Sequence, residues 1–171
     1  MWRLSGYTCE IMKIVRFGNR YVDLHAPADC ARASPSALQL FFELMQRWEI
    51  GDAQARILLG NCDVERFQRL RADPAGEVLQ SSSLKRIAFM LAIWRDLNQL
   101  YGPGIAGDWV QLPNSHHMFC RVTPLNFMLL GGTQAMKNIH RLLARRCESV
   151  DGAEATEAAA PPPQSIDRAP G

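Results

Sequence analysis

The sequence has no long hydrophobic run. Hydrophobic residues make up 47% of its 171 residues, yet no stretch of about 18 consecutive apolar residues occurs, as a membrane-spanning helix would need. The residues up to Val15 also lack the basic start and uninterrupted apolar stretch of a secretory signal. We therefore expect a cytoplasmic protein with enough apolar side chains for a folded core and no membrane contact.

The cysteines form no recognisable pattern. They are odd in number and widely spaced, and no two of them make a C-x-x-C pair. A disulfide scaffold and a cysteine-based zinc site are therefore both disfavoured, and we expect reduced thiols. The five cysteines are Cys9, Cys30, Cys62, Cys120 and Cys147.

Catalytic and nucleotide-binding motifs are also absent. The sequence contains neither G-x-x-x-x-G-K-[S/T] nor G-x-G-x-x-G. The pair His116-His117 lies close to Cys120, but a zinc site would need a fourth ligand and a rigid frame. A Cys–His nucleophile pair has the same composition, yet a cysteine beside an apolar Phe119 is usually inert packing. We expect no enzyme, no metal and no cofactor; a small Cys/His enzyme is a remote alternative.

The charge is small in total and uneven along the chain. The formal net charge is +2. Residues 36–147 carry thirteen basic and nine acidic residues, a net charge of +4, whereas residues 148–171 carry one basic and five acidic residues, a net charge of −4. A basic body with an acidic tail is compatible with nucleic-acid contact but does not require it.

The two ends differ from the middle in composition. Residues 1–35 show no sustained period, apart from a candidate strand at 11–17, and residues 26–35 are rich in Ala, Pro and Ser, which is typical of a linker. Residues 148–171 are acidic and rich in Ala and Pro. We expect a poorly ordered N-terminal segment over 1–35 and a disordered tail over 148–171.

Between these ends, apolar residues recur at helical spacing. Leu38, Phe41, Met45 and Trp48 lie on one face of a helix that Ser34 or Ser36 can cap. No long stretch alternates with period two, so the body is predicted to be all-α. Further helices are predicted over 52–59, 63–72, 83–101, 105–110, 124–130 and from 133 onward, with an extended piece at 117–122 and breaks at Gly102-Pro103-Gly104 and Gly131-Gly132.

Residues 52–72 fit a helix-turn-helix. A small residue, Ala55, stands where the two helices would approach, Gly60 lies at the turn, and Val64 and Phe67 would lock the second helix. Basic side chains in and after that helix could reach phosphates or base edges. The candidate DNA-binding residues are Arg66, Arg69, Arg71, Lys85 and Arg86. Asp63 and Glu65 would repel phosphate, so a simple solvated helix face stays open as an alternative.

Several spaced motifs resemble the Xre/MbcA/ParS-like antitoxin family over about residues 38–146. The matching residues are Leu58-Leu59-Gly60, Arg86-Ile87, Leu91-Ala92-Ile93, Trp109, Pro113-Asn114, Phe119, Pro124-Leu125, Gly131-Gly132 and Leu142-Leu143. The chain departs from the pattern at Cys120-Arg121, where members often have Gly, and at Cys62, where the turn usually has Ser. Cys62 predicts a weaker cap for the helix that follows.

The resemblance implies a type II antitoxin with two domains, an Xre-like helix-turn-helix at 36–102 and a toxin-binding domain at 103–147. Such a protein pairs with a RES-domain toxin that consumes NAD⁺, blocks it by protein contact, and represses its own operon as a homodimer on operator DNA. The implied toxin-binding residues are Trp109, Pro113, Asn114, Phe119, Pro124, Leu125, Met128, Lys137, Arg141 and Arg145. The alternative for the apolar members is plain core packing, since apolar residues at helical spacing are mostly core. The alternative function is a stand-alone regulator or adaptor whose helix-turn-helix is degenerate and which binds only protein.

Overall fold

The computed structural model describes residues 14–17 and 20–158, and this part of the chain is all-α except for one short hairpin. The elements are β1 (Ile14–Phe17), β2 (Arg20–Asp23), α1 (Pro27–Arg47), α2 (Asp52–Leu59), α3 (Val64–Ala72), α4 (Ser81–Trp109), a 3₁₀ turn (His117–Phe119) and α5 (Pro124–Ala158). The predicted fold class is therefore confirmed. The predicted strand at 11–17 is present from Ile14, and residues 11–13 lie outside the described part.

The predicted linker at 26–35 is wrong, because α1 begins at Pro27 and runs through it. Proline is well tolerated at the start of a helix, where its missing N–H has no intrahelical role. Ala and Ser continue the helix, and Cys30, Ala33 and Ala37 extend its buried face. Ser34 lies inside this helix and is not its N-cap. The buried contacts of this face stabilise a helix even though the local composition is typical of a linker.

Two glycines interrupt the longest helices at the predicted positions. Gly102 in α4 has φ 76° and ψ 169°, and Gly132 in α5 has φ 55° and ψ −138°. Glycine adopts such angles at little cost because it has no Cβ. After its break, α5 continues to Ala158. Its length corrects the predicted disorder over 148–158, while residues 159–171 lie outside the described part.

The piece predicted to be extended, residues 117–122, is a tight turn instead. The amide of Phe119 donates to the His116 carbonyl at 3.0 Å, and the amide of Val122 donates to the Phe119 carbonyl at 3.0 Å. Cys120 and Arg121 both lie in the left-handed region, with φ of 50° and 69°. These are the positions where the resembling family often has Gly, the residue that adopts this conformation most easily.

One hydrophobic core connects all the helices. α4 packs against both α1 and α5, and buried residues from Val22 to Leu143 belong to a single cluster. Its large aromatic members are Phe41, Trp48, Phe67, Phe89 and Phe119. Val64, predicted to be buried, is 49% exposed, because it is the first residue of α3 and points away from the neighbouring helices. The two segments predicted as domains thus contribute to the same core.

Candidate functional site

The turn between α2 and α3 is shaped by Gly60 and Asp63. Gly60 ends α2 with φ 121°. Asp63 is the N-cap of α3, and its Oδ1 accepts the backbone N–H of Arg66 at 2.8 Å. That hydrogen bond lowers the pKa of the Asp63 carboxyl. The cap is therefore Asp63, and Cys62 does not weaken it.

Each arginine of α3 contacts a carboxylate. Arg69 Nε lies 3.1 Å from Glu77 Oε1, and Arg66 Nε lies 3.8 Å from Glu77 Oε2. Arg71 makes a two-pronged contact with Asp52 at 2.9 and 2.5 Å. Its guanidinium also stacks on the rings of Phe42 and Phe67. The positive charge of the candidate recognition helix is consequently offset by neighbouring acidic groups.

Arg86 joins two helix ends rather than facing solvent. Its Nη1 donates to the carbonyls of Ile57 and Leu58, at 3.3 and 3.4 Å, near the C-terminus of α2. A Cβ on Gly132, at the break in α5, would lie 3.1 Å from Arg86 Nη2. Burial lowers the pKa of the guanidinium. Arg86 therefore has partners within the protein, and Lys85 beside it is likewise half-buried. A phosphate contact by either residue stays a prediction.

Most of the apolar residues predicted to contact a toxin are core residues. Phe119 is completely buried, and Leu125, Met128 and Pro124 are also buried. The amide of Leu125 donates to the Val110 carbonyl at 2.8 Å and fixes the start of α5 on the end of α4. These four residues lie beneath the surface and support the residues above them. The prediction that they contact a toxin directly is therefore wrong.

Trp109, Pro113 and Asn114 lie together at a surface cleft of about 400 Å³, which we call the Trp109 cleft. Trp109 is half-buried and meets Phe119 edge to face, with ring centroids 5.9 Å apart. Asn114 Oδ1 accepts the amide of His116 at 2.9 Å, which sets the turn that follows Pro113. The complete lining is Tyr101, Trp109, Pro113, Asn114, Ser115, His116 and Arg146.

Arg146 is the charged residue of this lining, and no carboxylate of the described residues lines the cleft with it. Its Nη1 donates to the hydroxyl of Tyr101 at 3.2 Å, which connects α5 to α4 across the cleft. His116 stacks on His117, with ring centroids 4.3 Å apart. Desolvation, followed by the charges of His117 and Arg146, lowers the pKa of His116. Its Nδ1 accepts the amide of Met118 at 3.2 Å, as a neutral imidazole does.

Tyr101, His116 and Arg146 were not predicted as site residues. From the sequence, His116 was considered as a metal ligand or as part of a Cys–His pair. In the described part of the chain, no group of three or more possible metal ligands occurs. A signal for Arg146 was present, because it follows the buried residues Ile139 and Leu143 at helical spacing and so borders the buried face of α5. The partner of Arg146 on α4 depends on tertiary packing.

The basic residues predicted on the last helix form a ridge. Lys137, Arg141 and Arg145 follow one another at four-residue spacing on α5, which places them on one face. Arg141 and Arg145 are exposed, and Lys137 is half-buried. Among the ion pairs of the described residues, none includes these three side chains.

A buried carboxylate between α4 and α5 was also missed. Asp96 is 2% exposed, and its Oδ2 lies 2.8 Å from His140 Nδ1 on α5. Its Oδ1 accepts two hydrogen bonds from Arg95, at 2.9 and 2.5 Å. A charged residue inside the apolar stripe of α4 needs such partners, so this cluster has a structural explanation.

A second groove, of about 620 Å³, lies between α1 and the end of α3. Phe42, Glu43, Glu49 and Arg71 are among its lining residues. Arg71 is already paired there with Asp52.

No described helix is long and apolar enough to cross a membrane.

The comparisons with known proteins give one informative result. No family model matches the chain, and no solved structure matches it. The chain is 30% identical over 105 residues to "Uncharacterized protein y4oB" of Sinorhizobium fredii (strain NBRC 101917 / NGR234), an alignment that covers 61% of this chain and 78% of the relative. The chain therefore belongs to the same protein family as y4oB.

Proposed function

We propose that this protein is a type II antitoxin that binds and neutralises a RES-domain toxin, an enzyme that consumes NAD⁺. The observation that carries the proposal is the Trp109 cleft, where Trp109, Pro113 and Asn114 lie side by side. These residues come from the motif through which the sequence resembles the Xre/MbcA/ParS-like antitoxins. Next to that motif in the chain, α5 supplies a basic ridge without carboxylate partners among the described residues, and such a surface favours a partner of opposite charge.

The proposed mechanism is inhibition by contact. The cleft and the ridge of Lys137, Arg141 and Arg145 form the surface that holds the toxin, while the buried residues Phe119, Leu125 and Met128 keep that surface rigid. A rigid surface loses little conformational entropy on binding. Since an antitoxin acts where its toxin and operon are, the proposal includes a cytoplasmic location, and a homodimer would match a two-fold operator.

The proposal expects the adjacent gene to encode a RES-domain protein, and co-expression with that gene product tests it. Cells that express the RES-domain protein alone should lose NAD⁺ and stop growing, and the wild-type chain should restore both. The double variant Arg141→Glu/Arg145→Glu should protect poorly, because it reverses the charge of the ridge. Arg32→Glu is the matched control, since Arg32 is an exposed arginine on α1. An adjacent gene without a RES domain, or continued NAD⁺ loss in the presence of the complex, would contradict the proposal.

A second candidate function is an adaptor that binds protein but no DNA. The specific observation in its favour is the pairing of all three α3 arginines with Glu77 or Asp52. In the antitoxin proposal, these arginines leave their carboxylates when they meet phosphates. The two candidates therefore differ in the affinity of the chain for its own promoter DNA.

A further inference from the structure

We propose that the Trp109 cleft receives an acidic side chain from a partner protein, carried on a segment whose neighbouring residues are apolar. This inference rests on the proposed function, because it names the chemistry by which the partner is held. Three features of the molecule support it: the charge of the lining, the exposed side chains around the cleft, and the geometry of Arg146.

The lining has one formal charge and it is positive. Arg146 supplies it, and no Asp or Glu of the described residues lines the cleft. Desolvation lowers the pKa of His116, which favours the neutral form of its imidazole. Of the described arginines, five are paired with carboxylates, whereas Arg146 has the Tyr101 hydroxyl as its hydrogen-bond partner. A carboxylate of a partner protein would give Arg146 an ion-pair partner.

Several exposed apolar side chains lie close in the chain to residues of the cleft. Tyr101 lies in the lining and is 37% exposed. Ile105 precedes Trp109 by one helical turn, Leu112 is adjacent to Pro113, and Val150 follows Arg146 by one turn of α5. These last three side chains are 56%, 57% and 45% exposed. Exposed apolar residues next to a polar cleft in the chain favour a protein-binding surface there.

These features favour a protein segment over nucleic acid. A phosphate backbone is held by several cations spread along it, and the lining of this cleft contains one, Arg146, beside the aromatic rings of Tyr101 and Trp109. Arginine binds a carboxylate through two parallel hydrogen bonds, which gives direction as well as attraction. The hydroxyl of Tyr101 holds the guanidinium of Arg146 at the cleft before a partner arrives, so less side-chain freedom is lost on binding.

The test uses random linear peptides displayed on phage and selected on the full-length chain, followed by titration of synthetic copies of the enriched peptides. The enriched peptides should share one Asp or Glu flanked by apolar residues. Arg146→Gln should weaken their binding by about tenfold or more, since a hydrogen-bonded charge pair contributes on that scale. Replacing the peptide's Asp or Glu with Asn or Gln should reduce its affinity for the wild-type chain by a similar factor. The same replacement should hardly change its affinity for Arg146→Gln, because the partner of the acid is already missing there.

Three variants serve as controls. Arg146→Lys keeps the charge and should bind the peptides more tightly than Arg146→Gln does. Tyr101→Phe keeps Arg146 itself and should lose less affinity than Arg146→Gln. Arg32→Gln removes an arginine outside the cleft and should leave the affinity unchanged. Circular dichroism checks that each variant is folded. Failure to enrich acidic peptides, or additive losses in the double-mutant cycle, would overturn the inference.

The same variants separate this inference from the proposed function. If the peptides behave as expected but the RES-domain protein is not bound, the proposed function fails and the chemistry of the cleft stands. If the RES-domain protein is bound, and Arg146→Gln binds it as tightly as the wild-type chain does, the inference fails and the proposed function stands.

Discussion

Ser34 is a fully buried polar residue whose hydroxyl has a partner on each side. It donates to the Cys30 carbonyl at 2.7 Å within α1 and accepts the backbone N–H of Leu79 at 2.8 Å. Leu79 lies just before α4, so the bond fixes the start of that helix on α1. Buried N–H groups are costly to leave unpaired.

Ser34→Ala should therefore lower the free energy of unfolding by about 1–3 kcal/mol, because the amide of Leu79 loses its acceptor in the core. Ser36→Ala is the matched control: it lies on the same helix, is exposed, and should change stability by less than about 0.5 kcal/mol. Urea unfolding measures both. Equal midpoints for the two variants would show that the hydrogen bond to Leu79 contributes nothing.

The lowered pKa of His116 predicts that the free energy of unfolding depends on pH. Its pKa is lowered in the folded state, chiefly by desolvation, so between that pKa and the unfolded value near 6.5 the unfolded chain binds more protons. The stability from neutral His116 is present above about pH 6.5 and is lost as the pH falls towards the folded pKa. His116→Asn should lose less stability than the wild-type chain between about pH 8 and pH 5.5. An NMR titration midpoint of His116 at or above 6.5 would refute this expectation.

At the scale of elements, the breaks in α4 and α5 decide where the cleft lies. The break at Gly102 allows the short helix that carries Trp109 to change direction. The break at Gly132 separates the start of α5 from the long part that carries Arg146. Arg86 packs against Gly132 and also binds the end of α2, so one side chain connects the helix-turn-helix candidate with α5.

Gly132→Ala should destabilise the protein by about 1–3 kcal/mol, because alanine is strained at this positive φ and its methyl group would press on Arg86. Gly104→Ala is the control. A methyl group added at Gly104 would meet no atom within 4 Å, and φ is not positive there, so the unfolding midpoint should be unchanged or slightly higher. Thermal unfolding followed by circular dichroism compares them. A Gly132→Ala protein as stable as Gly104→Ala would show that the break is not required.

At the scale of the whole molecule, the choice of binding partner depends on where unpaired positive charges lie on the surface more than on the net charge. The arginines of α3 are paired with Glu77 and Asp52. On α5, by contrast, neither the ridge residues nor Arg146 takes part in an ion pair of the described residues, and the acidic residues of that helix follow Arg146 in the chain. This distribution favours α5 as the part that meets an acidic partner, and it makes DNA binding by α3 dependent on releasing the arginines from their ion pairs.

The double variant Arg66→Ala/Arg69→Ala should weaken binding to the chain's own promoter DNA. The slope of log affinity against log salt should become shallower by about two, one for each lost phosphate contact. Glu77→Gln should have the opposite effect on affinity, since it frees both arginines. Arg32→Ala is the control for a general change in charge. Unchanged affinity in the double variant would favour the adaptor that binds only protein.

Local patterns predicted much of the fold because they depend on neighbours in the chain. The apolar spacing of Leu38, Phe41 and Met45 predicted a helix, and glycine at 102 and 132 predicted the breaks, since backbone freedom is a property of the residue itself. Residues 26–35 were predicted wrongly because Ala, Ser and Pro allow a linker or a helix, and packing of Cys30 and Ala33 selects the helix.

The candidate site was predicted less completely than the fold. Trp109, Pro113 and Asn114 were predicted through the resemblance to the antitoxin family, whereas Tyr101 and Arg146 lie 45 positions apart in the chain and meet only after α4 and α5 pack. The same packing buries Phe119, Leu125 and Met128, whose apolar character alone does not distinguish a core residue from a surface anchor.

The sequence by itself determined the helices, their breaks and the uneven charge, because hydrophobic spacing, backbone freedom and ionisable side chains are encoded residue by residue. The tertiary structure decided which of those charges remain available. It paired the arginines of α3 with Glu77 and Asp52, placed Arg86 against backbone carbonyls, and left Arg146 in a cleft that no described carboxylate lines. The physical reason is that electrostatic pairing depends on distance in space, which only the packing of the helices on one another establishes.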